Sequence, residues 1–259
     1  MSVVADTRPL LRCADITVRF GGVVAVDSVS VDLAEHEVLG LVGPNGSGKT
    51  TLLNAVSGLV DARGRVEVSG TPIPLGRPGA IVDHGVFRTY QTPQVDRSLT
   101  CMENVLVASP NAACRGPVGA WIRRRAMWKH EHERWDEAAD SLRRVGLLDR
   151  ANDLAAGLPY GQQRHLEIAR ALTARPTLLL MDEPAAGLSS TETRHLIELL
   201  AQLQDDGITL LVIEHKITFL EEICHRIVVL EMGRTIAEGT PSEVWANPAV
   251  MAAYLGEAK

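Results

Sequence analysis

The sequence predicts an α/β protein with a mostly parallel sheet covered on both faces and a mainly helical insertion. Short apolar runs alternate along the chain with stretches of helical periodicity, which is typical of strands joined by crossover helices. One of these runs, residues 38–42, ends in a glycine-rich bend that leads into a helix. Between residues 92 and 172 the strand pattern stops and mainly helical sequence replaces it. We therefore expect one domain over residues 1–259, with residues 92–172 inserted as a helical subdomain.

In the N-terminal third, strands are predicted where apolar and polar residues alternate. Residues 16–20 and 29–33 show this alternation, which is typical of half-buried strands. From residue 51 onwards, glycine and proline divide the chain into shorter segments. We expect, in order, a helix over 51–57 that ends at Gly58, a strand over 65–68, a loop over 71–78 and a strand over 86–90 that delivers Gln91 to its end.

The inserted region begins with a helix signal. Thr100 and Glu103 have the spacing of a capping box, in which the two side chains satisfy free N–H groups at the first turn of a helix. Further on, a charged helical stretch extends to about Arg144.

A tryptophan stripe, Trp121, Trp128 and Trp135, recurs along that stretch every seven residues, and Ala139 and Leu142 continue its face. We expect the stripe to pack inside the helical subdomain, because apolar stripes usually bury themselves. The alternative is a docking surface for a partner subunit. The neighbouring basic residues are interpreted as a solvated face, with contact to lipid headgroups as the alternative; they are Arg123, Arg124, Arg125 and Lys129.

The C-terminal third returns to alternating strands and helices. Residues 178–181 are all apolar, as in a buried parallel strand, and Asp182 and Glu183 follow them. After these we expect a helix over 191–204, capped by Ser189 and Glu192, and a strand over 208–213 that is followed by Glu214 and His215. A strand over 227–230 and a hairpin-like turn at 232–234 come next. Two short helices then begin near Pro241 and Pro248.

The composition favours a soluble protein with a large core. Hydrophobic residues make up 46% of the 259 residues and charged residues 22%. The net charge of -6 argues against a general nucleic-acid-binding surface, so we expect no nucleic acid partner. No stretch approaches the roughly 18 consecutive apolar residues of a membrane span, and the first dozen residues lack the apolar centre of a signal peptide. The widely spaced cysteines are interpreted as reduced thiols of a cytosolic protein; they are Cys13, Cys101, Cys114 and Cys224.

The glycine-rich bend fits the phosphate-binding P-loop pattern with no position missing. Glycines let successive N–H groups point inward, and the following helix aims its positive end at the same place. Lys49 would reach the β- and γ-phosphates of a nucleotide, and the Thr50 hydroxyl would bind Mg²⁺. A flexible glycine turn with one exposed lysine is the alternative, which the complete match between a strand and a helix disfavours. The candidate nucleotide-binding residues are Gly43, Pro44, Asn45, Gly46, Ser47, Gly48, Lys49, Thr50 and Thr51.

Polar side chains at the ends of other predicted strands indicate which reaction the phosphate site could support. Asp182 and Glu183 would lie at the sheet edge where α/β proteins bind ligands. Asp182 would hold Mg²⁺, directly or through water, and Glu183 would polarise a water for in-line attack on the γ-phosphate. A solvated acidic turn is the alternative, which the upstream P-loop disfavours. Gln91 and His215 also follow predicted strands, and Gln91 is a candidate to touch the metal or the water; alone, each would be an ordinary surface or structural residue.

One further segment completes the set of candidate site motifs. It is Leu-Pro-Tyr-Gly-Gln-Gln-Arg at residues 158–164, which precedes a helical stretch. With this segment the sequence resembles the ATP-binding cassette (ABC) family over essentially its whole length. The P-loop is similar to that family's Walker A motif, and residues 178–183 are similar to its Walker B motif. The remaining likenesses are Gln91 to the Q-loop glutamine, His215 to the switch histidine, residues 186–189 to the D-loop, and Phe20 to an aromatic residue that stacks on adenine. For Phe20, a core or edge-strand phenylalanine is the alternative.

The resemblance implies a P-loop ABC-type domain that binds ATP and Mg²⁺ and hydrolyses ATP. Glu183, His215 and Gln91 would be catalytic, and Thr50, Gln91 and Asp182 would hold the metal. Two cassettes of this family meet head to tail, so that each ATP lies between one P-loop and the signature helix of the other. Gly161 and Gln162 would face the γ-phosphate there. The partner would be a second copy of the chain or a homologous ATP-binding subunit.

Two positions depart from the family pattern. The common signature is Leu-Ser-Gly-Gly-Gln, whereas Pro159 and Tyr160 occupy its second and third places here. Pro159 cannot supply a serine hydroxyl to a phosphate, although proline is tolerated in the first turn of a helix. Ser189 stands where acidic or amide residues are usual in the D-loop. The motif match therefore supports the contacts across the dimer less than it supports those of the P-loop.

Several segments more closely resemble the ATP-binding subunits of branched-chain amino acid importers. They are residues 20–22, 88–91, 103–106, 158–163, 166–170, 247–248 and 253–257. This likeness implies transmembrane permease subunits, an extracytoplasmic solute-binding protein, and a location on the cytoplasmic face of the plasma membrane through the permease. It does not identify the cargo, for which related amides or urea are alternatives.

Other function classes compete with import. The main competing hypothesis is a soluble ABC ATPase with a regulatory or assembly role and no transport. A nucleotide kinase would need an acceptor-binding site, which the sequence does not indicate, and the signature segment argues against it.

Overall fold

The computed structural model describes residues 8–109 and 124–255. Within them the strands are β1 (Leu11–Phe20), β2 (Val23–Leu33), β3 (Val38–Val42), β4 (Arg63–Val68), β5 (Thr71–Ile73), β6 (Val86–Thr89), β7 (Leu178–Asp182), β8 (Thr209–Ile213), β9 (Arg226–Glu231) and β10 (Arg234–Gly239). The helices are α1 (Lys49–Val56), α2 (Cys101–Ala108), α3 (Arg124–Arg144), α4 (Tyr160–Leu172), α5 (Ser190–Asp205), α6 (Ile217–Ile223), α7 (Pro241–Trp245) and α8 (Pro248–Leu255).

The described residues form two compact units. The first contains the residues up to Gln91, then Thr177–Ala186, and then the residues from Thr193 onwards. The second contains Thr92–Pro176 and Gly187–Glu192. Neither unit contains a helix that combines the length and the apolar character needed to cross a bilayer, as far as residues 8–109 and 124–255 extend.

The first unit is built on two sheets. One is antiparallel with the strand order β2-β1-β4-β5, and the other has the order β10-β9-β3-β8-β7-β6. In the second sheet only the β9–β10 pair is antiparallel. Every residue of β3, β7 and β8 is buried, as expected of strands in a parallel sheet covered on both faces. The predicted α/β class is confirmed, and the structure adds that the antiparallel strands form a sheet of their own.

Parallel pairing brings the carboxyl ends of five strands, β3 and β6 to β9, to one edge of the sheet. Asp182 at the end of β7 is paired with Ile213 at the end of β8, and Leu41 of β3 is paired with the same Ile213. On the other side, Thr89 of β6 is paired with Met181. The loops that follow these strands therefore share one edge, which is where open α/β sheets bind ligands.

An apolar cluster beneath β3 and α1 supports this edge. It contains residues of both sheets and of α1, including Ile16, Leu41, Leu53 and Leu180, all fully or almost fully buried. Burying one such side chain contributes about 1.5–3 kcal/mol. Because β3 and α1 are both anchored in this cluster, the loop between them is held at each end.

Two predictions for the N-terminal third were wrong in detail. Residues 71–78 were predicted as a loop, but Thr71–Ile73 forms β5. Pro72 is accommodated because β5 is the edge strand of its sheet, where a missing N–H breaks no ladder. The strand predicted from residue 65 begins at Arg63, which pairs with Thr17 across an irregularity in β1.

The second unit is helical, and α2, α3 and α4 pack against one another. The predicted capping box is present at α2, where the Thr100 hydroxyl accepts the Glu103 N–H and the Glu103 carboxylate accepts the Thr100 N–H. The tryptophan stripe is not wholly inside the unit. Trp135 is 48% exposed while Leu142 is buried, and Trp121 and the side chain of Trp128 lie outside the described part.

Candidate functional site

The P-loop follows β3 and has a backbone that only glycine can adopt at two positions. Gly43 has φ 146°, and a Cβ there would overlap the carbonyl oxygen of Leu230. Gly48 has φ 104°, and a Cβ there would lie 2.5 Å from the carbonyl oxygen of Ala25. The loop is therefore packed closely against the strands β2 and β9, and its curvature is fixed by the fold.

Lys49 begins α1 and lies along the inside of this loop. Its side chain is only 6% exposed, and Nζ donates to the carbonyl oxygens of Gly43 at 2.7 Å and Pro44 at 2.8 Å. The first turn of α1 carries no acidic residue, so the positive end of the helix is not neutralised there. A buried ammonium beside a helix N-terminus favours an anion such as a phosphate group.

The other predicted nucleotide-binding residues of this motif lie in the same loop or in the first turn of α1. Asn45, Gly46 and Thr50 are exposed, Pro44 and Thr51 are half-buried, and Ser47 is buried. Phe20 lies at the end of β1 and is 52% exposed. It is therefore not a core residue, and it lies beyond Thr17, the last residue of β1 that is paired with β4, so that its only paired neighbour is β2.

Thr50 and Asp182 meet at the end of β7. The Thr50 hydroxyl donates to Oδ1 of Asp182 at 3.5 Å, and Asp182 is buried. Hydroxyl and carboxylate oxygens are the donors that Mg²⁺ prefers, and Mg²⁺ commonly takes one or two protein oxygens together with substrate phosphates. The described residues contain no group of three His, Cys, Asp or Glu side chains around a metal position. The oxygens of Thr50 and Asp182 would suit a magnesium ion that nucleotide phosphates also coordinate.

Glu183 is the centre of a three-residue cluster, which also contains Gln91 and His215. Oε2 of Glu183 accepts from Nε2 of Gln91 at 2.7 Å, and Oε1 lies 3.1 Å from Nε2 of His215. The Glu183 backbone has φ 48°, an uncommon conformation for a residue with a side chain, and its N–H donates to Ile213 at 2.9 Å. The structure thus brings together all three residues predicted to be catalytic, and holds Glu183 in a strained conformation.

Glu214 is a site residue to which the sequence assigned no role. It is 2% exposed, and its carboxylate accepts the N–H groups of Ala185 at 2.7 Å and His215 at 2.9 Å. Lys216 strengthens the same link, since its Nζ donates to the Ala185 carbonyl at 2.9 Å. Glu214 therefore ties the loop that follows Glu183 to the loop that carries His215.

Arg88 is the second site residue to which the sequence assigned no role. It lies in β6, and its Nη2 donates to Oδ2 of Asp182 at 3.0 Å with both side chains 7% exposed. A sequence signal was available in both cases, because a charged residue within or directly after an apolar strand is seldom buried without a partner. The partners themselves lie far away in the sequence and could not be identified from it.

The second unit contains Gly161 and Gln162, which lie in the first turn of α4. Pro159 is the N-cap of this helix and makes no side-chain capping bond. Gly161 is buried, and a Cβ there would lie 2.6 Å from Oε1 of Glu192. Oε1 of Gln162 accepts from Arg150. The first turn of α4 thus lies beside the carboxylate of Glu192.

Glu192 also completes the predicted cap at the start of α5. Its carboxylate accepts from the Ser189 hydroxyl at 2.7 Å and from the Ser189 N–H at 2.9 Å, and the Glu192 N–H donates back to the hydroxyl. The hydrogen bond from the Ser189 hydroxyl is the largest cause that lowers the pKa of Glu192, and the bond from the Ser189 N–H is the next largest. The carboxylate is therefore held in its charged form between two helix N-termini.

Two family models match parts of the chain. A model described as ABC transporter matches residues 26–186, which is more than half of the chain. A second model, described as branched-chain amino acid ATP-binding cassette transporter, matches residues 234–259.

Individual relatives are similar over nearly the whole chain. The high-affinity branched-chain amino acid transport ATP-binding protein LivG of Salmonella typhimurium is 42% identical over 254 residues, which are 97% of this chain and 100% of LivG. The solved ADP conformation of MJ1267, an ATP-binding cassette of an ABC transporter, is 30% identical with a TM-score of 0.83, covering 96% of this chain and 100% of that one. A dimeric post-hydrolysis structure of the cassette MJ0796 with ADP and Pi is 26% identical with a TM-score of 0.71, covering 89% and 98%.

Proposed function

This chain belongs to the family of ABC transporter ATP-binding proteins, and we propose that it is the ATP-hydrolysing subunit of an importer for branched-chain amino acids or related small solutes. The LivG relative carries that transport function in its name and aligns along its full length. The family model for the C-terminal 234–259 segment carries the same description. No observation favours the competing regulatory role without transport.

The observation that carries the proposal is the position of Glu183. Both oxygens of its carboxylate are engaged, by Gln91 at 2.7 Å and by His215 at 3.1 Å, and the preceding residue Asp182 contacts Thr50 of the P-loop. A carboxylate oriented at the edge of a phosphate site suits a general base that polarises an attacking water. Gln91 and His215 orient it, and His215 can share the proton.

The remaining residues bind the nucleotide. The P-loop N–H groups and Lys49 would contact the β- and γ-phosphates, and Phe20 would stack on adenine. Thr50, Asp182 and Gln91 would hold Mg²⁺, which when bound neutralises charge on the phosphate oxygens. Gly161 and Gln162 would act on the nucleotide of a second copy or a homologous subunit, as the N-terminus of α4 favours anionic groups. In this organisation residues 92–172 are a helical subdomain within a single domain.

The partners follow from the same proposal. ATP draws two cassettes together, and membrane permease subunits couple this closure to transport, with an external solute-binding protein delivering the cargo. The chain would then lie at the cytoplasmic face of the plasma membrane, attached through the permease.

The proposal is tested by replacing Glu183 with glutamine in the genomic copy and in the purified protein. Glu183→Gln should preserve ATP binding and reduce steady-state hydrolysis by at least about 10²-fold, because the amide cannot accept a proton from water. Cells with this variant should lose high-affinity uptake of labelled leucine, isoleucine or valine, while uptake of an unrelated amino acid serves as the control. Hydrolysis close to wild type would remove Glu183 from its role, and unchanged uptake of all three solutes despite lost hydrolysis would contradict the proposed cargo.

A further inference from the structure

Arg88 connects the metal end of the site to the helix that carries the P-loop threonine. Nη2 of its guanidinium donates to Oδ2 of Asp182 at 3.0 Å, and Nη1 donates to Oδ1 of Asn54 at 2.7 Å and approaches the Ser57 hydroxyl at 3.5 Å. The guanidinium therefore bridges β7 and α1. It also lies over the ring of Tyr90, with 5.1 Å between the guanidinium carbon and the ring centroid.

The positions on α1 are spaced so that this bridge acts on Thr50. Asn54 and Ser57 are four and seven residues after Thr50, which places all three on one face of the helix. On the sheet, Arg88 is paired with Leu180, and Leu180 and Asp182 point to the same face. Arg88 thus holds the helix face that bears Thr50 against the strand end that bears Asp182.

The two oxygens of Asp182 have separate partners as a result. Oδ2 accepts from Arg88, while Oδ1 faces the Thr50 hydroxyl at 3.5 Å. A carboxylate that is fixed through one oxygen presents the other in a defined direction, and such outer partners commonly orient metal ligands.

Stability alone does not account for burying Arg88. Its Nε is buried and has no hydrogen-bond partner within the described residues. A buried ion pair costs desolvation energy that its attraction often only offsets, so the pair of Arg88 and Asp182 is weak evidence for a purely stabilising role. The groups that Arg88 contacts belong to the carboxylate and the helix of the metal end of the site.

We propose that Arg88 is a positioning residue that sets the spacing and direction of Thr50 and Asp182 for Mg²⁺. This inference rests on the proposed Mg²⁺ and ATP site and deepens it. The planar guanidinium is required because it donates to two elements at once, whereas a lysine is a point charge without that fork.

The experiment compares the wild-type chain with Arg88→Lys and Arg88→Met. Binding of the non-hydrolysable ATP analogue AMP-PNP is measured by calorimetry, first in EDTA and then over a series of Mg²⁺ concentrations. For both variants we expect affinity in EDTA within about twofold of wild type, and a Mg²⁺ midpoint raised about tenfold, the lower end of the effect of losing such a partner.

Arg226→Met is the matched control. Arg226 also forms ion pairs within the first unit, with Glu37 and Glu238, and contacts none of the site residues named above. The Arg226→Met variant should have the wild-type affinity in EDTA and the wild-type Mg²⁺ midpoint. Thermal unfolding of each variant checks folding, and Arg88→Lys carries the test if Arg88→Met does not fold, because lysine keeps the buried positive charge.

Three results would overturn the inference. If both Arg88 variants have the wild-type Mg²⁺ midpoint, Arg88 does not position the Mg²⁺ ligands. If only Arg88→Lys has the wild-type midpoint, the positive charge is sufficient and the two-armed guanidinium is not required. An equal loss of affinity in EDTA and in Mg²⁺ would indicate general damage to the P-loop. If the wild-type chain itself bound no AMP-PNP under either condition, the proposed function would fail, which is a distinct outcome from a binding site that is insensitive to Arg88.

Discussion

At the scale of single residues, the site depends on backbone conformations set by close contacts between chain segments. Gly43 lies against the end of β9, so that any side chain would displace the Leu230 carbonyl. Gly46 has a left-handed backbone as well, at φ 77°, but no atom lies within 4 Å of the position that its Cβ would occupy. The two glycines of one loop therefore have different reasons to be glycine.

This difference predicts different costs for the same substitution. Gly46→Ala should lower the free energy of unfolding by about 1 kcal/mol, the cost of a left-handed conformation for a residue with a Cβ. Gly43→Ala should lower it by about 3 kcal/mol or more, because backbone must also move. Urea denaturation followed by circular dichroism measures both, and equal losses for the two variants would contradict the packing of the loop against β9.

Much of the site could be predicted because its residues follow recognisable local patterns. The P-loop glycines, Lys49 and the acidic pair after β7 are each identified by a few neighbouring residues. Gln91 and His215 could be placed at strand ends, but only the parallel pairing of β6, β7 and β8 brings them to Glu183. Arg88 and Glu214 were missed in their roles because their partners are set by tertiary packing, which no local pattern contains.

At the scale of secondary-structure elements, three helices begin with a reciprocal cap. The Thr100, Ser189 and Thr240 side chains each accept an N–H from a glutamate three residues later, and that glutamate accepts in return. Hydrogen bonds from the cap residues lower the pKa of Glu103, Glu192 and Glu243. For Glu103 and Glu243 the N–H bond is the larger cause, and for Glu192 the hydroxyl bond is larger.

These shifts predict a contribution to stability that depends on pH. A carboxyl group whose pKa is lower in the folded state stabilises the fold above its unfolded pKa, near 4.5 here, and loses that contribution as the pH falls through the folded pKa. The triple variant Glu103→Gln, Glu192→Gln and Glu243→Gln keeps the caps but not the charges. It should therefore be less stable than wild type between pH 6 and 8, with the difference shrinking below pH 4.5.

The measurement is urea unfolding at a series of pH values. Glu198→Gln, at an exposed position within α5 and outside any first turn, is the control. A stability difference for the triple variant that stays constant down to pH 3 would mean that the carboxylate charges do not stabilise the caps.

Element boundaries were predictable where a local signal exists. Capping residues and prolines located the starts of α2, α5, α7 and α8 correctly. Proline was a misleading signal at β5, because tertiary packing determines whether a segment forms an edge strand. β5 forms despite Pro72, since an edge strand tolerates proline. Trp135 likewise has the spacing of a buried stripe but is 48% exposed, since periodicity identifies one face of a helix and not what covers that face.

At the scale of the whole molecule, the sequence predicted the α/β class and the helical region but not the division of the strands between two sheets. Alternating and all-apolar runs distinguish half-buried from fully buried strands but do not say which strands pair, and the pairing of β1 with β4 joins segments some fifty residues apart. The order of strands is a property of packing between distant segments. The same holds for assembly, because the residues proposed to contact a second nucleotide do not by themselves specify a partner.

The proposed function predicts that two copies associate when ATP is bound and cannot be hydrolysed. Glu183→Gln in saturating Mg²⁺ and ATP should shift from monomer to about twice the monomer mass in light scattering, because each γ-phosphate would be shared with the N-terminus of the opposite α4. Lys49→Ala in the same background should stay monomeric, since it removes the charge that we propose binds the phosphates. Gln162→Glu should bind ATP but also stay monomeric, because glutamate has the size of glutamine and keeps the acceptor for Arg150, while its charge repels a phosphate. A Glu183→Gln protein that binds ATP and remains monomeric, even when permease subunits are supplied, would show that Gly161 and Gln162 do not face a second nucleotide.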